Sequence, residues 1–527
     1  MINGYWVPVL HSHLPFVKHP QYEYFLEEHW LFEAITECYI PLLRNMSKLY
    51  EEGVDFRLTI SVTPPLSQML NDSHLMYKYK EHLDRQIELG EKEVIRNQDS
   101  EYFRNIALYY RHFYIETKKF FEGFLKSNVL NGYRFFNDLG KIEVITCGAT
   151  HGFLPLLNDN KRAVEVQIEV AVASHTKLFN KPPKGIWLAE CAYYDGLDEI
   201  LSANGIEFFF VDSHALVYGK PSAQNGVYAP TYTSHGVAAF ARDAQSAKQV
   251  WSSKEGYPGD VNYRDFYRDL GYDLEYDYIK PYIDPNGTRV FTGFKYHKVT
   301  GDSDYKEVYN PEHAAYVTQS HAKDFHDKRV QQFEYLAKYM DRTPMVTSPY
   351  DAELFGHWWF EGPEFLYNLF KEIDKNQQFK AVTPLEYLSM YSENQVVNPL
   401  PSSWGDKGYY EVWLNEGNSW IYRHLHNMAD EMVDYANRFK ENRDFNTKRV
   451  LNQMGRELLL AQSSDWAFLI TTATATEYSE HRTKEHISNF LELKNMLDEN
   501  SINFKTLEEF EHKNSIFDFL DFKTFCT

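Results

Sequence analysis

Two carboxylates sit at the ends of short apolar runs. Glu190 closes Gly185-Ile-Trp-Leu-Ala and precedes Cys191-Ala-Tyr193. Asp351 follows Ser348-Pro-Tyr350 and leads into Ala-Glu-Leu-Phe-Gly-His357-Trp-Trp-Phe-Glu-Gly362. Cleaving a glycosidic bond takes such a pair: one carboxylate attacks or stabilises the anomeric carbon, and one protonated acid assists the leaving oxygen. Surroundings that push the two pKa values apart decide which is which. One carboxylate after a strand is most simply a helix cap or an ion pair. Two, each set among aromatic residues, point to catalysis.

Histidine offers a second chemistry. His11-Ser-His13, with His151, His214 and His357, has the types that hold a metal, because His-x-His after a strand sets both rings on one side. The same rings serve equally well as hydrogen-bond partners for sugar hydroxyls or neighbouring carboxylates. Trp404 and Trp413 lie in a glycine-bearing stretch, Ser402-Ser-Trp-Gly-Asp-Lys-Gly-Tyr-Tyr-Glu-Val-Trp-Leu-Asn415. Indole faces there can stack on the apolar faces of sugar rings. Asp465, in Gln462-Ser-Ser-Asp-Trp466, interrupts an apolar helical pattern. It either caps locally or points into a cleft, since a buried carboxylate needs partners.

The elements that must position these residues alternate short β-rich runs with longer helical stretches, which marks an α/β fold with parallel strands. Strands are predicted at 5–10, 56–62, 142–147, 185–188, 207–211, 236–241 and 344–347, with an eighth at 379–382. Directly after them come His11 and His13, Thr63, His151, Glu190, Asp212 and His214, Arg242, and Asp351. Active sites of parallel α/β barrels lie at the carboxyl ends of the strands and draw on several of them. Segment 68–140 reads as a helical insertion, 218–310 as long loops around a site, and 394–403 as a linker. Helical periodicity returns at 421–440, 447–460 and 485–497.

The chain has 527 residues and a net charge of −21, which repels phosphate backbones and makes nucleic acid a poor partner. No apolar run reaches the ~18–20 residues of a membrane span. Four cysteines without metal-type spacing and the absence of an N-terminal export signal point to the cytoplasm. The 39 tyrosines, 37 phenylalanines and 10 tryptophans fit either a ring-binding cleft or a tyrosine-rich core.

Five ordered motifs carry a resemblance: His11-Ser-His-Leu-Pro15, Ala149-Thr-His-Gly-Phe-Leu-Pro155, Trp187-Leu-Ala-Glu-Cys-Ala-Tyr193, Tyr350-Asp-Ala-Glu-Leu-Phe-Gly-His-Trp-Trp359 and Trp404-Gly-x-x-Gly-Tyr-Tyr410. Together they resemble the sequence regions of glycoside hydrolase family 57, and the length and Gln-Ser-Ser-Asp-Trp segment look like its α-1,4-glucan branching group. The resemblance implies an incomplete (β/α)7 TIM-like barrel over 1–395, with the helical insertion and cleft loops inside it, and an all-helical C-terminal domain over 396–527. It implies a retaining mechanism with Glu190 as nucleophile and Asp351 as acid/base, no metal and no cofactor. By the same motifs His11, His13 and His151 line the subsite of the covalent sugar, while Trp404, Trp413 and Asp465 contact glucan from the closing domain. Arg268 matches a substrate-binding arginine, with Arg264 competing for the same alignment.

The activity implied is branching of an α-1,4-glucan (amylose, glycogen or a starch-like polymer) with appreciable hydrolysis. Two departures bear on it. Ala189 stands where the family commonly has proline. The stretch within 231–257 that should carry a tyrosine over the cleft has none in its central part, 241–251. Rival readings are a chiefly hydrolytic amylase, a metal-dependent carbohydrate hydrolase and a polysaccharide binder. The sequence is silent on oligomeric state.

Overall fold

The computed structural model describes residues 2–252, 255–284 and 286–527. Its strands are β1 (Tyr5–Ser12), β2 (Leu58–Val62), β3 (Ile142–Ile145), β4 (Gly185–Ile186), β5 (Phe208–Val211), β6 (Thr231–Tyr232), β7 (Ala238–Ala241), β8 (Met345–Asp351) and β9 (Lys380–Ala381). One sheet runs β3-β2-β1-β8 with β9 beside β1, and the other runs β4-β5-β7-β6. All pairings are parallel except β6 with β7. Single parallel bridges join the sheets on both sides, Thr146 with Ile186 and Arg242 with Thr347. The eight expected strands are present; β6, two residues long and antiparallel, had no sequence signal.

The alternation of side chains along each strand decides what the site contains. Val7 and Val9 of β1, Phe208 and Phe210 of β5, Ala238 and Phe240 of β7 and Met345 of β8 pack into one inner cluster with Ile145, Cys147 and Trp187. Their neighbours Trp6, Leu10, Phe209, Val211, Ala239, Ala241 and Val346 belong to the larger core outside. Successive residues of a strand face opposite ways, so the inner parity continues to His11, Asp212, Arg242 and Asp351. In β2 the outer parity is held by Leu58, Ile60 and Val62, leaving Ser61 and Thr63 for the inside. Pattern thus delivers a ring of polar groups at one end of an apolar interior.

The insertion between β2 and β3 holds helices Ser73–Arg96, Glu101–Glu122 and Leu130–Asp138. It anchors the loops of 218–310. Fully buried Glu93 accepts hydrogen bonds from the Tyr278 and Tyr296 hydroxyls at 2.8 and 2.9 Å. The hydroxyls of Tyr110 and Tyr114 reach the Lys295 and Thr292 carbonyls at 2.7 and 2.9 Å. Many tyrosines therefore serve as core with one hydrogen-bonded end rather than as a sugar-binding surface.

The chain ends in helices Trp420–Arg438, Phe445–Ala461, Ser464–Thr472, Thr476–Asp498 and Phe504–Lys513. The segment expected to be a linker is laid down on the sheet side: Val396, Asn398 and Ser402 bridge to Tyr232, Lys220 and Tyr193. Among the described residues no helix is long and apolar enough to cross a membrane.

Candidate active site

Three histidines meet where β1 and β2 end. His11 Nδ1 lies 3.2 Å from Ser61 Oγ, and His13 Nδ1 lies 2.9 Å from Thr63 Oγ1. His11 Nε2 is 3.0 Å from His151 Nε2, and the rings of His13 and His151 stack with centroids 3.8 Å apart. His151 Nδ1 meets Ser464 Oγ at 2.8 Å. His13 Nε2 reaches both oxygens of Asp465 at 3.0 and 2.9 Å. Burial, followed by repulsion from the neighbouring rings, pushes His11 and His151 well below the usual 6.5, so both are neutral. Burial opposes ionisation of Asp465, but His13 outweighs it and holds that carboxyl down at about 2.

Asp465 does not interrupt a helix. The chain breaks after Ala461, and Asp465 lies in the first turn of the next helix, Ser464–Thr472. A bridge between Gly152 and Ser463 and the Ser464 N–H bond to the His151 carbonyl, 3.1 Å, bring it there.

The two candidate catalytic carboxyls are held from different sides. Glu190 and Cys191 follow β4 with left-handed backbone, φ 62° and 51°, and His151, after β3, shares that conformation at 58°. Such conformations are uncommon outside glycine and persist where surrounding structure enforces them. The Trp404 indole donates to Glu190 Oε2 at 2.7 Å, and the Trp404 backbone N–H donates to the Glu190 carbonyl at 2.9 Å. Burial pushes the Glu190 carboxyl up to about 8, with repulsion from Asp351 and Asp465 adding and the Trp404 bond opposing. Burial also raises Asp351, to about 6, against the pull of His13 and Arg242. Two carboxyls that feel each other titrate as a unit, and this unit keeps a proton near neutrality.

A π-helical turn, Ile35–Tyr39, braces the Asp351 side. Its widened geometry sets three successive residues against one loop. Glu37 accepts from His357 Nδ1 at 2.9 Å, the Cys38 thiol donates to the Ala352 carbonyl at 2.9 Å, and the Tyr39 hydroxyl donates to Glu353 Oε1 at 2.5 Å. That oxygen also accepts from the His13 backbone N–H at 3.1 Å. The loop fits because residue 356 is glycine: its φ is 119°, and a Cβ there would fall 1.8 Å from the Glu37 carbonyl oxygen. Burial pushes Glu353 up to about 8.

His11, His13, His151, Glu190, Asp351, Trp404 and Asp465 thus come together as the sequence pattern implies. Trp413 does not join them. It is 1% exposed and stacks on Phe153 at 4.5 Å, because its loop folds back under the helical region. Arg268 is tied to Asp273 at 3.0 Å and to His297 at 3.3 Å, and its partners among the described residues belong to the outer loops. Arg264 is buried, paired with Glu37 at 2.9 Å. The wider metal set also separates: His214 bonds the Gly408 carbonyl at 2.8 Å and His357 bonds Glu37, and among the described residues the one group of three with ligand atoms within 4.8 Å of one another is His13, His151 and Asp465.

Glu353 and Tyr39 also belong to the site and were not singled out from the sequence, while Arg242 and Asp212, named there as strand-end residues without a role, form an ion pair beside it. Glu353 stands two residues beyond Asp351, the same strand-end parity, which was its one available signal. The Arg242 guanidinium lies 5.8 Å from the centre of the Trp404 ring.

A family model described as glycosyl hydrolase family 57 matches residues 8–326, and one described as 1,4-alpha-glucan branching enzyme, C-terminal, matches 424–525. The chain is 32% identical to a 1,4-alpha-glucan branching enzyme of Thermococcus kodakarensis over 98% of its own length and 78% of that protein. Among solved structures it is similar to the alpha-amylase AmyC of Thermotoga maritima, with TM-score 0.94, 45% identity and 99% of both chains covered. The branching enzyme of Pyrococcus horikoshii follows with TM-score 0.90, 32% identity and 100% and 97% coverage. Two carboxyls at parallel strand ends, a histidine cluster completed from the C-terminal helices and matches spanning both regions establish that the chain belongs to glycosyl hydrolase family 57.

Proposed function

We propose that this protein is a retaining α-1,4-glucan branching enzyme with appreciable hydrolysis. The observation that carries this is the half-buried pair Glu190 and Asp351, closed over by Trp404 and Asp465 from the C-terminal part. The Glu190 carboxylate attacks the anomeric carbon while Asp351 gives its proton to the leaving glycosidic oxygen, forming a covalent glucosyl ester. Asp351 then takes a proton from the incoming hydroxyl, which displaces Glu190. In the free protein the higher value falls on Glu190; once a glucan is bound, the Trp404 N–H and the positive charge that develops at the anomeric carbon favour ionised Glu190, so the shared proton passes to Asp351 before attack. His11, His13, His151 and Asp465 surround the reacting sugar. Trp413 supports that wall through Phe153, and Arg268 is given an outer contact with the glucan.

The continuous pairing β1-β2-β3-β4-β5-β7-β8, returned to β1, supports an incomplete (β/α)7 barrel. We take 1–395 as the catalytic domain, including the insertion and cleft loops, and 396–527 as the helical domain that closes it. Four free cysteines, three of them buried, and the acidic charge support a cytoplasmic setting.

A second reading, a chiefly hydrolytic amylase, rests on the loop that should shield the ester. Residues 241–251 end β7 and form helix Ala244–Trp251, with no tyrosine. Tyr232 lies in β6 against the inner cluster, and the Tyr257 hydroxyl is turned to Asp324 at 2.7 Å. Residues 253 and 254 of this loop lie outside the described residues. Where water reaches the ester, hydrolysis gains over transfer. Incubation with long amylose separates the readings. More new α-1,6 anomeric proton signals than new reducing ends, both absent with Asp351→Asn, support branching. Reducing ends alone support the amylase, and neither product overturns the glucan assignment.

A further inference from the structure

We propose that His13, His151 and Asp465 form a site for a divalent transition metal of the zinc type, and that metal bound there excludes the glucan instead of assisting its cleavage. The exclusion rests on the glucan reading above; the metal site does not.

The two ring nitrogens and one carboxylate oxygen lie within 4.8 Å of one another. Zinc binds histidine nitrogen and carboxylate oxygen at about 2.0–2.2 Å, so ligands on one ion stand ~3–4 Å apart. His13 and Asp465 already have that spacing, at 2.9 Å. A metal site also needs its imidazoles fixed by what the other nitrogen touches. Here Thr63 Oγ1 meets His13 Nδ1 at 2.9 Å and Ser464 Oγ meets His151 Nδ1 at 2.8 Å, turning both Nε2 atoms inward. The backbone ties the ligands as well, since the Ser464 N–H bonds the His151 carbonyl directly before Asp465. His11, 3.0 Å from His151 Nε2, gives up that one contact to the ion.

Charge does not oppose a cation: Asp465 brings a carboxylate, and the nearby Arg242 guanidinium is already committed to Asp212. Two histidines and one carboxylate suit zinc and its neighbours better than magnesium or calcium, which prefer all-oxygen shells. Three protein ligands leave the ion an open position. Because the same three side chains surround the reacting sugar, ion and sugar compete for one place.

The test is calorimetric titration of the wild-type protein with zinc chloride in chelator-free buffer, repeated with saturating maltoheptaose. One zinc per chain is expected, with cobalt at the same site giving visible d–d absorption. Maltoheptaose should weaken zinc about tenfold or more, and His151→Gln and Asp465→Asn should each weaken it about 10–100-fold. Absence of stoichiometric zinc and of the cobalt spectrum overturns the site, as does affinity unchanged in both variants. Affinity indifferent to bound maltoheptaose, or cleavage that requires zinc, overturns the exclusion. If maltoheptaose itself does not bind, the glucan reading fails while the zinc isotherm still reports on the site.

Discussion

Glu190 and Asp351, the two proposed catalytic carboxyls, are both half-buried, yet they are held by different parts of the chain. Glu190 stands on a strained strand end and is gripped by Trp404, 214 residues later, at the entrance to the helical region. Asp351 stands on a regular strand and is braced through its own loop by the π-turn at Ile35–Tyr39, close to the N-terminus. The Glu190 side is thus finished only when the C-terminal part docks, whereas the Asp351 side is built within the N-terminal α/β part. Damage to the closing region should fall first on attack at the anomeric carbon. Damage to the π-turn should fall first on stability.

The largest effects come from the carboxyls. Asp351→Asn should lower kcat/KM by ~10²–10⁴-fold on glucan, and Glu190→Gln should abolish transfer. Glu190→Gln should also raise Tm. A carboxyl whose folded pKa is lifted to about 8 from 4.5 costs stability as pH rises between those values, and glutamine does not. The gain should therefore grow between pH 5 and 8 in thermal scans, and a variant less stable than wild type at pH 8 would count against the buried-acid description.

Trp404→Phe keeps a ring but removes the N–H donor. A hydrogen bond to a charged group is worth about 1.5–3 kcal/mol, so kcat/KM should fall ~10–100-fold with Tm little changed. Tyr39→Phe, on the other side, removes one of the two hydrogen bonds to Glu353 Oε1, the His13 N–H remaining, and should cost about 0.5–1.5 kcal/mol of stability, with a smaller loss of kcat. If Tyr39→Phe proves catalytically worse than Trp404→Phe, the contrast between the two sides is wrong.

Acidification supplies a subtler comparison. His11 and His151 are neutral in the fold, while in the unfolded chain they take up protons near 6.5. The stability they contribute is complete above 6.5 and is lost as pH falls below it. Asp465, depressed to about 2, contributes above its unfolded value of 3.8 and is lost only as pH falls toward 2. Tm should begin to drop just below pH 6.5 and again below 4. The smallest effects should come from Arg268→Ala, within about threefold in kcat/KM as an exposed ion pair. Trp413→Phe should act on Tm instead of KM.

What the sequence made legible follows from strand geometry. Polar residues after apolar runs mark His11, His13, Glu190 and Asp351 without any contact information; parity agrees for His11, His13 and Asp351, whereas Glu190 has the parity opposite to Trp187 and Ala189 and stands on left-handed backbone. Asp465 was legible as a charge out of place, though its partner 452 residues away was not. The π-turn leaves no periodic trace, so Tyr39 and its hold on Glu353 stayed hidden. Trp413 misled because glycine-bearing loops usually face solvent, and this one folds under Phe153. His214 and His357 misled because residue type does not reveal that a carbonyl or a buried glutamate already engages them.

The central claim is the division of roles between Glu190 and Asp351, and azide rescue tests it most directly. With an aryl maltoside that needs no acid help to leave, Asp351→Ala plus azide should yield the α-glycosyl azide, because Glu190 still forms the ester. Glu190→Ala plus azide should yield the β-glycosyl azide by direct displacement. The opposite assignment of anomers, or β-azide from both variants, would contradict a retaining mechanism with Glu190 as its nucleophile.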